Sequence, residues 1–366
     1  MKPSELRTFL THIIRQSLAN PSKPLPAIAI HGAPGIGKSQ IVAQAAAACN
    51  LPCVVKNLAD EDPGVFGGLT FPMGDTTVRL KPDWYPSVPS VLFFDEYLQA
   101  PQLLQNITAP LINVGDRILA QKWPLPPGSM VFLAMNRRQD RAATHEMPEH
   151  IKNRCIHIEL VEDVNDFIAH GDTIGMNEII MLFMKFKPAL LHMHDPKKSG
   201  NTARDMAYPT PRSWQFLNSM METGLFDLPP SIHTEVITGI IGEGAQSEFL
   251  AFMTQFRELS AKYHPDKIIA APTTHAIPSE MEASITHTLM GILGRISNAR
   301  NFDAVVTYLM RLPPEFAITG INNAIAKTPT LKETPAYIRW ATAHPSTTKT
   351  ASDFEEAATP ATKKRR

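Results

Sequence analysis

The feature that most constrains this chain is the stretch Gly32-Ala33-Pro34-Gly35-Ile36-Gly37-Lys38-Ser39, which fits the pattern G-x-x-x-x-G-K-[ST] at every required position. It follows the apolar run Ala27-Ile28-Ala29-Ile30 and leads into a helix-like segment from Gln40 to Ala48. A strand, a glycine-rich loop and a helix in this order point backbone N–H groups and a helix N-terminus at one place. The pattern therefore predicts a loop that wraps around phosphate groups.

Individual positions of this loop have distinct predicted roles. Lys38 should reach the β- and γ-phosphates of a nucleotide, and the hydroxyl of Ser39 should bind Mg²⁺. The cofactors expected from the motif are therefore ATP and Mg²⁺. The residues predicted to bind the nucleotide are Gly32, Pro34, Gly35, Ile36, Gly37, Lys38, Ser39 and Gln40.

Two further apolar runs end in polar residues that suit nucleotide hydrolysis. The run Val91–Phe94 ends in Asp95 and Glu96. Asp95 is predicted to hold Mg²⁺ together with Ser39, and Glu96 to polarise the attacking water as a general base. Residues 130–135 form another such run, and it ends in Asn136. The Asn136 amide either hydrogen-bonds the water and the γ-phosphate or simply forms the turn that follows a strand.

Short apolar runs alternate with helical segments as far as about residue 160. This alternation predicts an α/β fold, in which a parallel sheet is covered by helices on both faces. Such sheets bind ligands beyond the C-terminal ends of their strands, and Lys38, Asp95 and Asn136 all follow such ends. The predicted strands are Ala27–His31, Cys53–Asn57, Val91–Asp95, Met130–Asn136 and Cys155–Leu160.

Composition and periodicity divide the chain into four predicted parts. Residues 1–160 form an α/β ATP-binding core that begins with an amphipathic helix over residues 4–18. Residues 161–225 form a helical lid, and residues 226–345 form a further helical region. Residues 346–366 are rich in Ser, Thr, Ala and charged residues, which predicts a disordered tail.

Charge and cysteine content restrict the functional class. Lys plus Arg and Asp plus Glu both number 35, so the formal charge is zero and a generally basic nucleic-acid surface is not expected. The three cysteines have no metal-ligand spacing and suit a reducing compartment. No apolar run is long enough for a membrane span, and the N-terminus lacks the apolar region of a signal peptide, so a cytoplasmic protein is expected.

The order of these motifs resembles that of the AAA+ ATPases, and more narrowly that of the MoxR-like family. In that family an arginine finger, which acts on the neighbouring subunit's nucleotide, and a lid arginine follow the sensor Asn. Residues 147–155 resemble the segment that carries the finger, which makes Arg154 the best match and Arg141 a second candidate. Residues 208–214 resemble the sensor-2 segment, which makes Arg212 the lid arginine, acting on its own or the neighbouring nucleotide.

The resemblance also implies an assembly and partners. It implies a P-loop NTPase fold of AAA+ type, a hexameric ring with active sites between subunits, and a protein client that is remodelled together with a von Willebrand factor A domain protein. Residues 60–69 resemble the insert that faces the central pore, where Phe66 either contacts the client or packs into the core. Residues 114–117 fit the turn of a pre-sensor hairpin, whose arms would be Asn113 and residues 118–120.

Two other functions remain open. The first is a motor or loader that acts on DNA, against which the zero formal charge and the absence of a recognisable DNA-binding motif both argue. The second is a nucleotide-gated scaffold with little turnover, against which the intact Glu96 and Asn136 argue.

Overall fold

The computed structural model describes residues 1–137, 147–193, 207–278 and 283–343. Arg141 and the predicted tail over residues 346–366 therefore lie outside the described residues. The chain divides into two compact units, Met1–Gln246 and Ser247–Arg366. The finer predicted boundaries at residues 160, 225 and 345 stay predictions.

A five-stranded parallel sheet forms the centre of the first unit. Its strand order is β2-β5-β8-β1-β9, and every neighbouring pair is parallel. This arrangement confirms the predicted α/β fold class. The bounds of the strands agree with those predicted to within a residue: β1 Ala27–His31, β2 Cys53–Asn57, β5 Val91–Asp95, β8 Met130–Met135 and β9 Cys155–Glu159.

Helices cover both faces of this sheet, which explains why its strands are near-continuous apolar runs. On one face, Ile28, Phe93 and Phe132 pack with the helices α1 (Pro3–Ala19) and α2 (Lys38–Ala47). On the other face the alternate strand residues pack with α4 (Gln102–Ile112) and with the short helix α3 (Pro63–Phe66). The residues of this second face include Ala29, Leu92, Phe94, Val131 and Leu133.

More helices follow the sheet in the first unit. The single turn α5 (Glu149–Lys152) precedes β9, and Trp214 of α8 (Pro211–Glu222) is fully buried against Phe183 of α7 (Glu178–Phe186). The indole of Trp214 also donates a hydrogen bond to the carbonyl of Leu190 (2.9 Å). The helices after β9 are α6 Val164–Ile174, α7 Glu178–Phe186, α8 Pro211–Glu222 and α9 Pro230–Ile241, with short 3-10 turns at Pro188–Leu190 and Leu225–Asp227.

The second unit has its own apolar core, which contains Leu289, Leu309 and Trp340. Its helices are the continuation of α10 (Glu243–Lys262), then α11 Pro265–Ala270, α12 Ala283–Ile296, α13 Phe302–Leu309, α14 Pro314–Lys327 and α15 Pro335–Ala343, with a 3-10 turn at Pro329–Glu333. The elements that the structure describes in this unit are helical.

The hairpin before β8 differs from its prediction. Its strands are β6 (Ile118–Leu119) and β7 (Trp123–Pro124), so the chain reverses at Ala120 and Gln121 rather than at residues 114–117. Both turn residues have positive φ, +51° and +56°. Asn113 is the C-cap of α4 rather than a hairpin arm, and residues 114–117 are the exit from that helix.

The segment that resembles a pore insert contains α3 and an antiparallel hairpin of β3 (Thr70–Met73) and β4 (Thr76–Arg79). Phe66 is fully buried and stacks on Trp84 with ring centroids 4.5 Å apart. Of the two interpretations of Phe66, the structure thus shows the core one. The pore-contact alternative is excluded because the buried ring of Phe66 packs against both Trp84 and Phe94.

Candidate functional site

The predicted phosphate-binding loop joins β1 to α2 and requires glycine at two positions. Gly35 and Gly37 have φ of +74° and +98°, a left-handed conformation that favours glycine. A β-carbon on Gly35 would also lie 2.9 Å from the hydroxyl oxygen of Thr210. The glycines therefore allow both the turn of the loop and its close approach to the start of α8.

Lys38, the first residue of α2, is buried and lies inside this loop. Its ammonium group donates hydrogen bonds to the carbonyls of Gly32 (2.8 Å) and Ala33 (3.1 Å) and to Oδ1 of Asn136 (3.0 Å). An ammonium group has three N–H donors, and the described residues provide these three acceptors for them. They fix the positive charge at the inner rim of the loop and connect the loop to the end of β8.

The two residues predicted to hold the metal are in contact. The hydroxyl of Ser39 donates to Oδ2 of Asp95 (2.5 Å), so two oxygen ligands lie side by side at the ends of α2 and β5. Among the described residues, no group of three or more His, Cys, Asp or Glu side chains could hold a metal ion. A hydroxyl and one carboxylate nevertheless fit Mg²⁺, which commonly takes its other ligands from phosphates and water.

Glu96 lies beside Asp95 in this cluster. Burial raises the pKa of the Glu96 carboxyl above its ordinary value, and the neighbouring Asp95 carboxylate raises it further. The positive charges of Lys38 and Arg212 and a hydrogen bond from Gln99 lower the same pKa. Burial and Asp95 thus favour the neutral acid of Glu96, whereas Lys38 and Arg212 favour its carboxylate, which is the form that a general base requires.

Asn136 connects the charged groups of the site. It is buried, accepts the hydrogen bond of Lys38 on Oδ1, and donates from Nδ2 to Oε2 of Glu96 (3.4 Å). Lysine is only a donor, so the amide oxygen of Asn136 must be the atom that faces it. This assignment directs the amide N–H group at Glu96, and the side chain serves the cluster rather than a local turn.

Arg212 reaches the same loop from α8. Its backbone N–H donates to the carbonyl of Gly35 (3.2 Å), while Thr210 caps the N-terminus of the helix through the backbone of Ser213. The Arg212 side chain is exposed and lines a cavity of about 280 Å³. Other residues that line this cavity include Arg7, Gly37, Ser39, Gln40, Phe167, His170 and Leu191.

Arg154 lies apart from this cluster. It immediately precedes β9, whereas Lys38 lies beyond the C-terminal end of the neighbouring parallel strand β1. Five strand residues at about 3.3 Å each separate these two edges of the sheet by roughly 16 Å. Its Nη1 contacts the carbonyl of Ala109 (3.4 Å). The structure therefore does not bring Arg154 to the site of its own chain; Arg141 lies outside the described residues.

Three contributors to the site were not predicted. Gln99 donates from Nε2 to Oε2 of Glu96 (2.6 Å), Thr210 packs against Gly35, and α6 supplies Phe167 and His170 to the cavity. The sequence contains a signal only for Thr210, because threonine followed by proline is typical of a helix N-terminus. Gln99 and the cavity residues belong to no motif.

No protein-family model and no curated protein matches the chain. Among solved structures, NtrX from Brucella abortus in complex with ADP is 15% identical with a TM-score of 0.36, over 93% of this chain and 67% of that one. A mutant form of RuvB from Thermotoga maritima is 15% identical with a TM-score of 0.35, over 76% and 81%. The T. maritima RuvB Holliday junction branch migration motor is 13% identical with a TM-score of 0.33, over 77% and 81%. Within the described residues, no helix combines the length and the apolar character needed to cross a membrane.

Proposed function

We propose that this chain is an AAA+ ATPase that binds Mg²⁺–ATP at the loop before α2 and hydrolyses it. The observation that supports this most strongly is one continuous hydrogen-bonded cluster. Lys38 contacts Asn136, Asn136 contacts Glu96, the backbone N–H of Glu96 donates to Asp95, and Ser39 contacts Asp95. The cluster contains a cation for phosphates, oxygen ligands for a metal and a carboxylate for water. These are the groups that phosphoryl transfer to water requires.

Each of these side chains has a separate task in the proposed reaction. Lys38 binds the β- and γ-phosphates, and Glu96 accepts the proton of the water that attacks the γ-phosphorus. Asn136 orients that water with respect to the phosphate. Mg²⁺ held by Ser39 and Asp95 supplies positive charge to the phosphate oxygens. Arg212 adds a second positive charge from α8, and the pairing of its backbone with Gly35 makes loop and helix move together.

The cavity beside the loop suits the nucleoside part of ATP. It is bounded by Gly37 and Ser39 on the phosphate side and by Phe167, Leu191 and Ile41 on the apolar side. A flat purine ring fits a largely apolar cleft with a few polar groups at its rim. A nucleotide in this position would contact both the sheet and the helices that follow it, so its binding and release would shift them relative to each other.

The position of Arg154 favours a shared site. An arginine about one strand length from its own phosphate loop cannot neutralise charge there, but it can do so for an adjacent copy in a head-to-tail ring. We therefore propose that Arg154 is the arginine finger and that the chain works as a ring, of which a hexamer is the expected form. Arg141 remains the second candidate for this role.

The finer assignment rests on the MoxR-like resemblance. Under it, the ring remodels a protein client together with a von Willebrand factor A domain partner. The hairpin of β3 and β4 suits contact with a client because Phe71 and Met73 are 49% and 68% exposed. Phe66 takes no part in this surface, since it is buried.

The test is ATP turnover as a function of protein concentration, with particle size measured in parallel, for the wild type and for Arg154→Ala. A shared site predicts specific activity that rises as oligomers form and collapses in the variant. Turnover that is independent of concentration would contradict the ring. Bound ATP without turnover, even with a partner present, would favour the nucleotide-gated scaffold, and salt-dependent DNA binding would favour the motor or loader.

A further inference from the structure

The turn that follows β5 holds the carboxylate of Glu96 in one orientation. Glu96 has φ of +52°, which is uncommon and unfavourable for a residue with a side chain. Its backbone N–H donates to Oδ1 of Asp95 (2.9 Å), and the next N–H, of Tyr97, donates to the carbonyl of Ala134 (3.0 Å). Backbone strain of this kind persists only where the surrounding structure imposes it.

Tyr97 supplies that constraint from the core. Its ring is fully buried, and its hydroxyl lies within hydrogen-bond distance of Thr108 (3.2 Å). The side chain of Gln105 donates to the carbonyls of Ala100 (3.1 Å) and Tyr97 (3.4 Å). Thr108 and Gln105 therefore attach the turn to helix α4. Because Glu96 directly precedes Tyr97, these contacts also fix its backbone orientation.

Gln99 makes two hydrogen bonds to Glu96 across the same turn. Its backbone N–H donates to the carbonyl of Glu96 (2.9 Å), and its side-chain Nε2 donates to Oε2 of Glu96 (2.6 Å). The amide of Asn136 contacts the same oxygen at 3.4 Å, which is long for a hydrogen bond. Between the two donors, the shorter contact, from Gln99, has the larger effect on the rotamer of the carboxylate.

We infer that Gln99 is a positioning residue for the water-activating carboxylate: it binds Oε2 of Glu96 and leaves Oε1 to accept the proton of the attacking water. Among the described residues, Oε1 receives no hydrogen bond. Asn136 bonds both Lys38 and Glu96, whereas within the described residues the side chain of Gln99 bonds only Glu96. This inference rests on the proposed ATP hydrolysis and adds a residue outside the motifs to it.

The test compares Gln99→Met with Gln102→Met. Methionine matches the length of glutamine but has no N–H donor, and Gln102 is an exposed residue at the start of α4 that receives the same change. Loss of one hydrogen bond to a charged group predicts a fall in kcat of about tenfold or more for Gln99→Met. The dissociation constant for a fluorescent ATP analogue and the melting temperature should stay at the wild-type values, as should kcat of Gln102→Met.

Two further variants separate positioning from packing. Gln99→Glu keeps the shape but presents an oxygen to Oε2, so its kcat should fall below that of Gln99→Met. In single-turnover reactions of Glu96→Gln protein, adding Gln99→Met should change the rate by less than about twofold, because the carboxylate that Gln99 orients is gone. Should Gln99→Met fail to fold, Gln99→Asn removes the same contact by shortening the side chain.

The outcomes distinguish the inference from the function on which it rests. A wild-type kcat in Gln99→Met overturns the inference about Gln99 but not the proposed function. The same holds if Gln99→Met lowers the single-turnover rate as strongly in Glu96→Gln protein as in the wild type. Wild-type protein that shows no turnover sensitive to Lys38→Ala overturns the proposed function, and the inference with it.

Discussion

The two edges of the central sheet differ in how their charges are satisfied. At the carboxyl edge, Lys38 donates to three neutral oxygen acceptors of the described residues and the carboxylate of Asp95 accepts from Ser39, so both charged groups are hydrogen-bonded. At the amino edge, Arg154 makes a long contact with a carbonyl, and Nε and Nη1 of the buried Arg117 have no hydrogen-bond partner within the described part of the chain. The carboxyl edge thus combines a cation with oxygen groups that could hold a metal, while the amino edge carries arginines with few hydrogen bonds among the described residues.

This difference shows how the two edges could complement each other under the proposed function. Under the proposed function, the carboxyl edge supplies the phosphate loop, the metal ligands and the base, and an arginine finger completes it. Arg154 at the amino edge is the cation proposed for that role in an adjacent copy. A head-to-tail arrangement satisfies both edges at once, whereas a two-fold dimer would bring like edges together.

The largest expected effect tests the carboxyl edge. Lys38→Ala removes the only charge within the loop and should weaken ATP binding by roughly 100-fold or more, with turnover reduced to background. Equilibrium titration with a fluorescent ATP analogue measures this. The exposed Lys332→Ala in the second unit is the matched control and should bind as the wild type does. Unchanged affinity in Lys38→Ala would show that the loop is not the phosphate site.

The next effect tests the amino edge. Arg154→Ala should lower turnover about 1,000-fold while ATP binding stays within a few-fold, because the guanidinium acts on the transition state of a neighbour. The exposed Arg300→Ala is the control. Mixing Arg154→Ala with Lys38→Ala protein should restore part of the activity, since one copy supplies the loop and the other the finger. If the mixture is as inactive as each variant alone, Arg154 does not act on the nucleotide of a neighbouring subunit.

A smaller effect isolates the chemical step at the carboxyl edge. Glu96→Gln should bind ATP as the wild type does but hydrolyse it at least about 100-fold more slowly, since an amide cannot accept the proton. Single-turnover hydrolysis and binding are measured on the same preparation, with the exposed Glu315→Gln as control. Rapid hydrolysis by Glu96→Gln would exclude Glu96 as the base. The slow variant would also trap a client for identification.

The sequence predicted the carboxyl edge better than the rest of the molecule. Strands buried on both faces are apolar along their whole length, so β1, β5 and β8 can be recognised in the sequence as apolar runs. Because the strands are parallel, the residues that follow them all lie at the carboxyl edge of the sheet. The phosphate-loop motif then supplies the chemistry, because its glycines and lysine are required by the geometry of the loop. Local rules therefore sufficed for the positions of Lys38, Asp95 and Asn136.

Features that depend on distant contacts were not predictable in the same way. The reversal of the β6–β7 hairpin at Ala120 and Gln121 uses two left-handed residues without the Asn or Gly that normally mark such a turn. The burial of Phe66 depends on a partner, Trp84, that lies well downstream in the sequence. The role of Gln99 requires the backbone conformation of Glu96, which no pattern of residue types specifies.

The smallest effect concerns Arg117, which tests whether the positive charge of the amino edge is structural. Burial lowers the pKa of Arg117 to about 10, so the guanidinium is still charged at neutral pH. Burying this charge costs free energy, and the hydrogen bond to the carbonyl of Leu25 offsets only part of the cost, because Nε and Nη1 have no partner among the described residues. Arg117→Met, which fills similar volume without charge, should leave the free energy of unfolding at pH 7 unchanged or raise it by about 1 kcal/mol.

Urea denaturation measures this, with the exposed Arg300→Met as control. The sign with pH follows from the lowered pKa: above about pH 10 the folded protein releases the proton while the unfolded chain keeps it, so the wild type regains stability and any advantage of the variant shrinks. A loss of more than about 2 kcal/mol at pH 7 would instead mean that the guanidinium stabilises the fold. Arg117 would then be a structural residue, and its charge would not be available to another copy. The proposed ring would rest on Arg154 and not on Arg117.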